Sequence, residues 1–179
     1  QEQKMDPGLN ARGHTPVVQA AEQTLGHSSP DGDVSTADWN ARYTKGWAYG
    51  KEPSHFLATV SADYPTESRN IPLLYEGQGR NAVYLAGKGH HCTIVDSSQT
   101  GLAKAKLLAQ QRGVSDMIVP ILADLDDWRP PEESFDAVVS IFGTANPASR
   151  ARLHRACIRS LRPGGVVLVE AFSPRHGLI

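Results

Sequence analysis

The stretch IPLLYEGQGRNAVYLAGKGHHCTIVD, residues 71–96, carries most of the information about the fold. It opens on a short apolar run, Ile71–Tyr75, which reads as a strand running into a glycine turn. Arg80–Lys88 then predicts a helix, stopped by Gly89, because glycine accepts the left-handed conformation that ends helices. His91–Val95 is a second apolar run and ends on an acid, Asp96. Strand, tight turn, helix and strand within so few residues form a βαβ unit, whose two strands lie parallel.

Downstream the alternation continues. Ser97 or Ser98 caps a helix that turns Leu102, Ala105 and Leu108 inward and stops at Gly113. Met117–Leu122 is a third strand, placed at an edge because Pro120 has no N–H for a neighbour. Phe135–Phe142 is a fourth strand. A helix from Pro147 to Leu161 carries Leu153, Cys157 and Leu161 along one stripe, and Val166–Phe172 is the fifth strand. The runs AVVSIF and VVLV are apolar without alternation, as in strands buried on both faces. The fold class is therefore α/β, a Rossmann-like doubly wound parallel sheet.

Upstream, residues 35–69 read as a helical apron on the α/β core of residues 70–179. Thr36 is the predicted cap of a short helix through Trp39 and Tyr43. The link KGWAYGKEP leads to a second helix, beginning near Pro53, with Phe56, Leu57 and Val60 on one face. Residues 1–34 are rich in Gln, Gly, Pro, Ser and His and poor in apolar groups. They predict a polar arm or tail that orders only against something else.

The whole chain has 179 residues, 40% of them hydrophobic and 21% charged, with a net charge of −1. That balance suits one soluble domain and gives no general attraction to nucleic acid or anionic membranes. No apolar run approaches the ~20 residues of a membrane helix. Cys92 and Cys157 lie far apart in apolar surroundings and read as reduced core residues. The chain starts at Gln1, so a processed N-terminus is one expectation. A cytoplasmic location is the default, and an organellar one (plastid or mitochondrion) would follow from such processing.

In a doubly wound sheet, ligands bind at the carboxyl ends of the strands. There Gly77 and Gly79 are expected to let the backbone approach a ligand, with the helix N-terminus aimed at the same point. Asp96 follows about 20 residues later, the spacing of an acid that accepts hydrogen bonds from ribose hydroxyls. These features alone are shared with dinucleotide-binding domains. Ala123-Asp124-Leu125, where an acid could accept from an adenine amino group, and the turn Leu161-Arg162-Pro163-Gly164-Gly165 tilt the reading away from a nicotinamide cofactor.

Together with YGKEPSHFL, EGQGRNAVYLAGKGH, VDSSQTGLAKAKLLAQQRGV, ADLDDW and FDAVVSIF, this turn makes the span from about Trp39 to Pro174 resemble the class I S-adenosylmethionine-dependent methyltransferases. More narrowly it resembles the tellurite-resistance and thiopurine-methyltransferase branch. The resemblance implies S-adenosyl-L-methionine as cofactor and a small, soft, thiol-like acceptor. It places Gly77, Gly79 and Asn81 along the methionine part and Asp96 with Ser97 at the ribose. Asp124 and Leu125 bracket the adenine, Ile141 and Phe142 lie beneath the cofactor, and Tyr49 sits over the site. Glu76 stands in for the acid that the broader family carries at the position of Leu73. Tyr75 occupies the family's first glycine, and Thr144 replaces a histidine usual in the branch. His55, His154 and His176 read as surface or capping residues, and neither a catalytic base nor a metal ligand is assigned.

These departures sustain an alternative, a non-catalytic methyltransferase-like subunit of a larger complex. The family adds two strands after the fifth, and this chain is expected to lack them. Val166–Phe172 then needs a cover. The expected ones are residues beyond Ile179 or a protein partner, ahead of the polar arm.

Overall fold

The structure, a computed structural model, describes residues 17–23, 35–62, 69–143 and 147–172. Thr144, His176 and the arm outside 17–23 lie outside the described residues. The strands are β1 (Val17–Gln23), β2 (Asn70–Leu74), β3 (His91–Asp96), β4 (Ile118–Leu122), β5 (Phe135–Ile141) and β6 (Leu161–Phe172). The helices are α1 (Thr36–Thr44), α2 (His55–Val60), α3 (Arg80–Gly87), α4 (Gln99–Gln111) and α5 (Pro147–Ser160). Among the described residues, no helix is long and apolar enough to cross a membrane.

All strand pairs are parallel, in the order β1-β6-β5-β2-β3-β4. The chain starts its core at β2, moves outward through β3 to β4, then crosses back to place β5 on the other side of β2. That reversal between β2 and β5 is the switch point where such sheets open a crevice. β4 is an edge strand, and Pro120 lies opposite Ile94. On one face Leu73, Ile94, Val139 and Leu168 pack against Leu57 of α2, Ala82 and Leu85 of α3, and Leu102 and Leu108 of α4. On the other, Leu74, Val95, Val138 and Val167 pack with Leu153 and Cys157 of α5. Both cysteines are buried and free, and burial raises each thiol pKa to about 12.

Local chemistry sets the helix boundaries. Ser35, not Thr36, caps α1: its hydroxyl accepts from Asp38 N while the Asp38 carboxylate accepts from Ser35 N, a reciprocal box. Ser54 caps α2 through Leu57 N, and Ser98 caps α4 through Gly101 N. Ser97, just before it, is half-buried.

The edge of β6 carries the main correction. A segment of the arm takes the place expected for residues beyond Ile179 or a partner: β1 runs parallel to β6 from Val17↔Val166 to Gln23↔Phe172. The arm has few apolar residues, which is why the sequence ranks it last among the covers. Capping an edge requires backbone N–H and C=O groups, which any extended segment supplies.

Candidate functional site

The turn after β2 is built on positive backbone angles: Tyr75 at φ 56, Gly77 at φ 53 and Gly79 at φ 82. Tyr75 is the costly member, since a side chain in the left-handed region is strained. Gly77 is needed for a second reason, because a Cβ there would collide with the hydroxyl of Tyr43. A Cβ on Gly79 would lie 2.6 Å from that of Ala105. Both glycines therefore make room for the protein's own side chains. Gly77 holds the apron helix α1 down, and Gly79 lets α3 meet α4.

Just before them Glu76 turns inward. Its Oε1 accepts from Asn81 N (2.8 Å) and Ala82 N (2.9 Å), and its Oε2 accepts from Asn81 Nδ2 (3.2 Å). The carboxylate thus satisfies the first free N–H groups of α3. Burial raises its pKa from 4.5 to about 7, with the three hydrogen bonds pulling the other way. Asp96 at the end of β3 accepts from Gly77 N and Ser98 N, both at 2.8 Å. Its pKa is raised by burial and held back by those same bonds. Each of its oxygens retains a lone pair for a ligand.

The apron is bolted to this turn by side chains. Asn40 accepts from Ser98 Oγ (2.6 Å) and Thr100 N (3.1 Å), and Thr36 donates to Ser97 Oγ (3.0 Å). Gln78 accepts from Ala48 N and donates to Gly46 O. Asn81 accepts from Ser54 N.

Apron and strand ends enclose a cavity of about 320 Å³, a size suited to one small ligand. Glu76, Asn81, Asp96 and Ser97 line it from the β2 and β3 ends. Asp124, Leu125, Ile141 and Phe142 line it from the β4 and β5 ends, and Tyr49 from the apron. Gly77 and Gly79, expected at the ligand, are not on the wall, because Tyr43 and Ala105 occupy the space their missing side chains leave.

Sequence reasoning did not assign Ser35, Thr36, Trp39, Tyr43, Gln78 and Arg80 to the wall, where the structure puts them. Gln78 and Arg80, on either side of Gly79, have a local signal. The apron residues had none, because their position depends on how α1 docks. Tyr75 also lines the cavity, and its ring lies where a Cβ on Gly143 would fall. It packs with the α5-side core near Asp124, Asp126 and Arg150, and burial pushes its pKa to about 12. Leu73, at the acid position of the broader family, is fully buried core. Of the histidines, His55 and His154 lie off the wall. No group of three potential metal ligands occurs among the described residues.

The profile of the family described as "Methyltransferase domain" matches residues 75–165, just over half of the chain. The chain is 29% identical over 117 residues to a demethylmenaquinone methyltransferase of Clavibacter sepedonicus, covering 65% of this chain and 46% of that protein. It is 33% identical over 79 residues to a ubiquinone/menaquinone biosynthesis C-methyltransferase of Pseudomonas paraeruginosa, covering 44% and 30%. The chain thus spans less than half the length of these curated relatives. Among solved structures it resembles a SAM-dependent methyltransferase from Geobacter sulfurreducens in complex with S-adenosyl-L-homocysteine. There the TM-score is 0.60 and the identity 26%, over 73% of this chain and 53% of the other.

Proposed function

This chain belongs to the methyltransferase domain family, and from that membership we propose that its cavity binds S-adenosylmethionine for methyl transfer to a small-molecule acceptor. The observation that carries the reading is Asp96. It is a buried carboxylate at the end of β3, fixed by two backbone N–H groups yet still on the cavity wall.

The residues present suit the cofactor. Asp96 would accept from the ribose hydroxyls, with Ser97 beside it. Asp124 and Leu125 would bracket the adenine, while Ile141 and Phe142 form a floor. Asn81, with Glu76 behind it and Tyr49 above, would face the methionine part. The cofactor supplies a methyl group already activated on a sulfonium, so the protein's share is alignment and exclusion of water. Trp39, Tyr43, Tyr49 and Phe142 provide the aromatic wall for that purpose.

Two acceptor chemistries have support. The motif Gly79-Arg80-Asn81-Ala82 and its neighbours favour a soft, thiol-like acceptor of the tellurite-resistance and thiopurine branch. The names of the relatives favour a quinone ring carbon. Mass spectrometry of products from a thiophenol and from a demethylated quinol separates them. The alternative of a non-catalytic subunit draws on Leu73 in the core and Tyr75 on the wall.

Calorimetric titration with S-adenosylhomocysteine tests the proposal. Wild type should bind, NAD should not compete, and Asp96→Ala should lose roughly 1.5–3 kcal/mol, the worth of hydrogen bonds to a charged group. A wild-type protein that ignores S-adenosylhomocysteine would return the chain to the scaffold reading.

A further inference from the structure

We propose that Arg80 binds an oxyanion of the methyl acceptor, so that the acceptor is a planar molecule carrying a carboxylate or similar group. The inference rests on the methyltransferase reading for the ligand's role, and on the following geometry for its chemistry.

Arg80 is the first residue of α3, half-buried, and on the cavity wall. Its Nη1 donates to the carbonyls of Tyr49 (2.8 Å) and Glu52 (3.4 Å). No ion pair joins it to a carboxylate among the described residues, and Nε and Nη2 donate to none of them. The guanidinium carbon lies 5.4 Å from the Tyr49 ring centroid. Arg42 lies 5.3 Å from the same ring, also without an ion pair among the described residues. Tyr49 in turn stacks on Phe142, with centroids 6.2 Å apart and planes 24° apart. The apron end of the cavity therefore combines a flat aromatic pair with a guanidinium fork that forms no salt bridge among the described residues, the arrangement that recognises a carboxylate.

Three of the acids nearby are already engaged. Glu76 is spent on the first N–H groups of α3, Asp96 on Gly77 and Ser98, and Asp126 on Arg152 at 2.8 Å. Glu170, on β6, is 1% exposed and has neither oxygen hydrogen-bonded to a described residue. Burial raises its pKa, against the pull of Ser54, Arg80 and His55. Glu76 and then Glu170 offset the charge of Arg80 at a distance, and neither forms a salt bridge with it. Because Glu76 already satisfies the start of α3, the helix itself is not the anion site. Arg80 is the group left to meet one.

The test uses benzoate as probe, titrated into protein saturated with S-adenosylhomocysteine and followed by calorimetry. Wild type should bind benzoate, Arg80→Ala should bind it roughly tenfold more weakly or worse, and Arg80→Lys should fall between them. Thermal melts check that both variants fold, and Arg80→Lys carries the test if Arg80→Ala does not. Any fall in affinity for S-adenosylhomocysteine, transmitted through Tyr49, should be shared by 5′-methylthioadenosine. Three results overturn the proposal. One is no benzoate binding by wild type, and another is equal binding by all three proteins. The third is a loss in Arg80→Ala of affinity for S-adenosylhomocysteine but not for 5′-methylthioadenosine, which would assign the arginine to the cofactor's carboxylate. If wild type takes up neither nucleoside, the methyltransferase reading falls. The benzoate titration of the ligand-free protein then judges Arg80 alone.

Discussion

Glu76 links fold and site in one side chain. It carries its proton to about pH 7 when folded, against 4.5 ordinarily, so the folded state binds more protons between those values. Its contribution to stability is then fully present below about 4.5 and lost as pH rises through about 7, a swing of about 3 kcal/mol. His90 and His154, whose pKa values burial lowers, push stability the opposite way below their ordinary range. The comparison with Glu76→Gln isolates the carboxylate. Urea melts from pH 5 to 8 should show wild type losing stability relative to the variant, with the difference flattening above pH 8. A constant difference across that range would assign the pH dependence elsewhere. Gly79→Ala is the steric counterpart. It combines a left-handed backbone at φ 82 with a Cβ 2.6 Å from Ala105. Denaturant melts should show a cost of about 2 kcal/mol or more, the sum of strain and overpacking.

Among the elements, β1 is the one whose removal has the sharpest consequence. It supplies the backbone partners along β6 from Val166 to Phe172. An apolar strand stripped of its neighbour is a template for pairing with another chain. A protein beginning at Ser35 should therefore associate with rising concentration, whereas the full chain should not. Light scattering across a concentration series checks this; a truncated protein that stays monomeric would mean β6 tolerates exposure. Helix α1 shows the same dependence on contacts outside itself. Its capping box is local, yet its place over the glycine turn comes from Asn40, Thr36 and Tyr43 reaching to the turn between β3 and α4, to α4 and to Gly77. Asn40→Ala removes the acceptor for Ser98 and Thr100, and should speed amide exchange in α1 before it speeds exchange in β2 or β3.

At the scale of the whole molecule, the cavity is the meeting place of segments that are remote in sequence: the apron, the turn after β2, and the ends of β3, β4 and β5. A ligand that joins them should stabilise them together. S-adenosylhomocysteine at one hundred times its dissociation constant should add about 2.7 kcal/mol. Amide exchange should slow in α1 and in the residue 76–81 turn alike, and slowing confined to one of them would mean that the ligand sits elsewhere. Much of this design was legible in the chain. The apolar runs of residues 71–75, 91–95, 135–142 and 166–172, the cap at Ser98, and the edge position implied by Pro120 are written in local pattern. Periodicity, capping and the missing proline N–H act over a few residues, so the sequence by itself determined the parallel α/β sheet and the carboxyl-end acids Glu76, Asp96 and Asp124. Only the tertiary structure decided that Tyr43 fills the space beside Gly77, that Ala105 fills the space beside Gly79, that Tyr75 packs over Gly143, and that β1 takes the edge of β6. Each of these is a contact between segments distant along the chain. Such contacts are selected by the fit of surfaces that exist only once the sheet has formed, and they leave no periodic trace in the sequence.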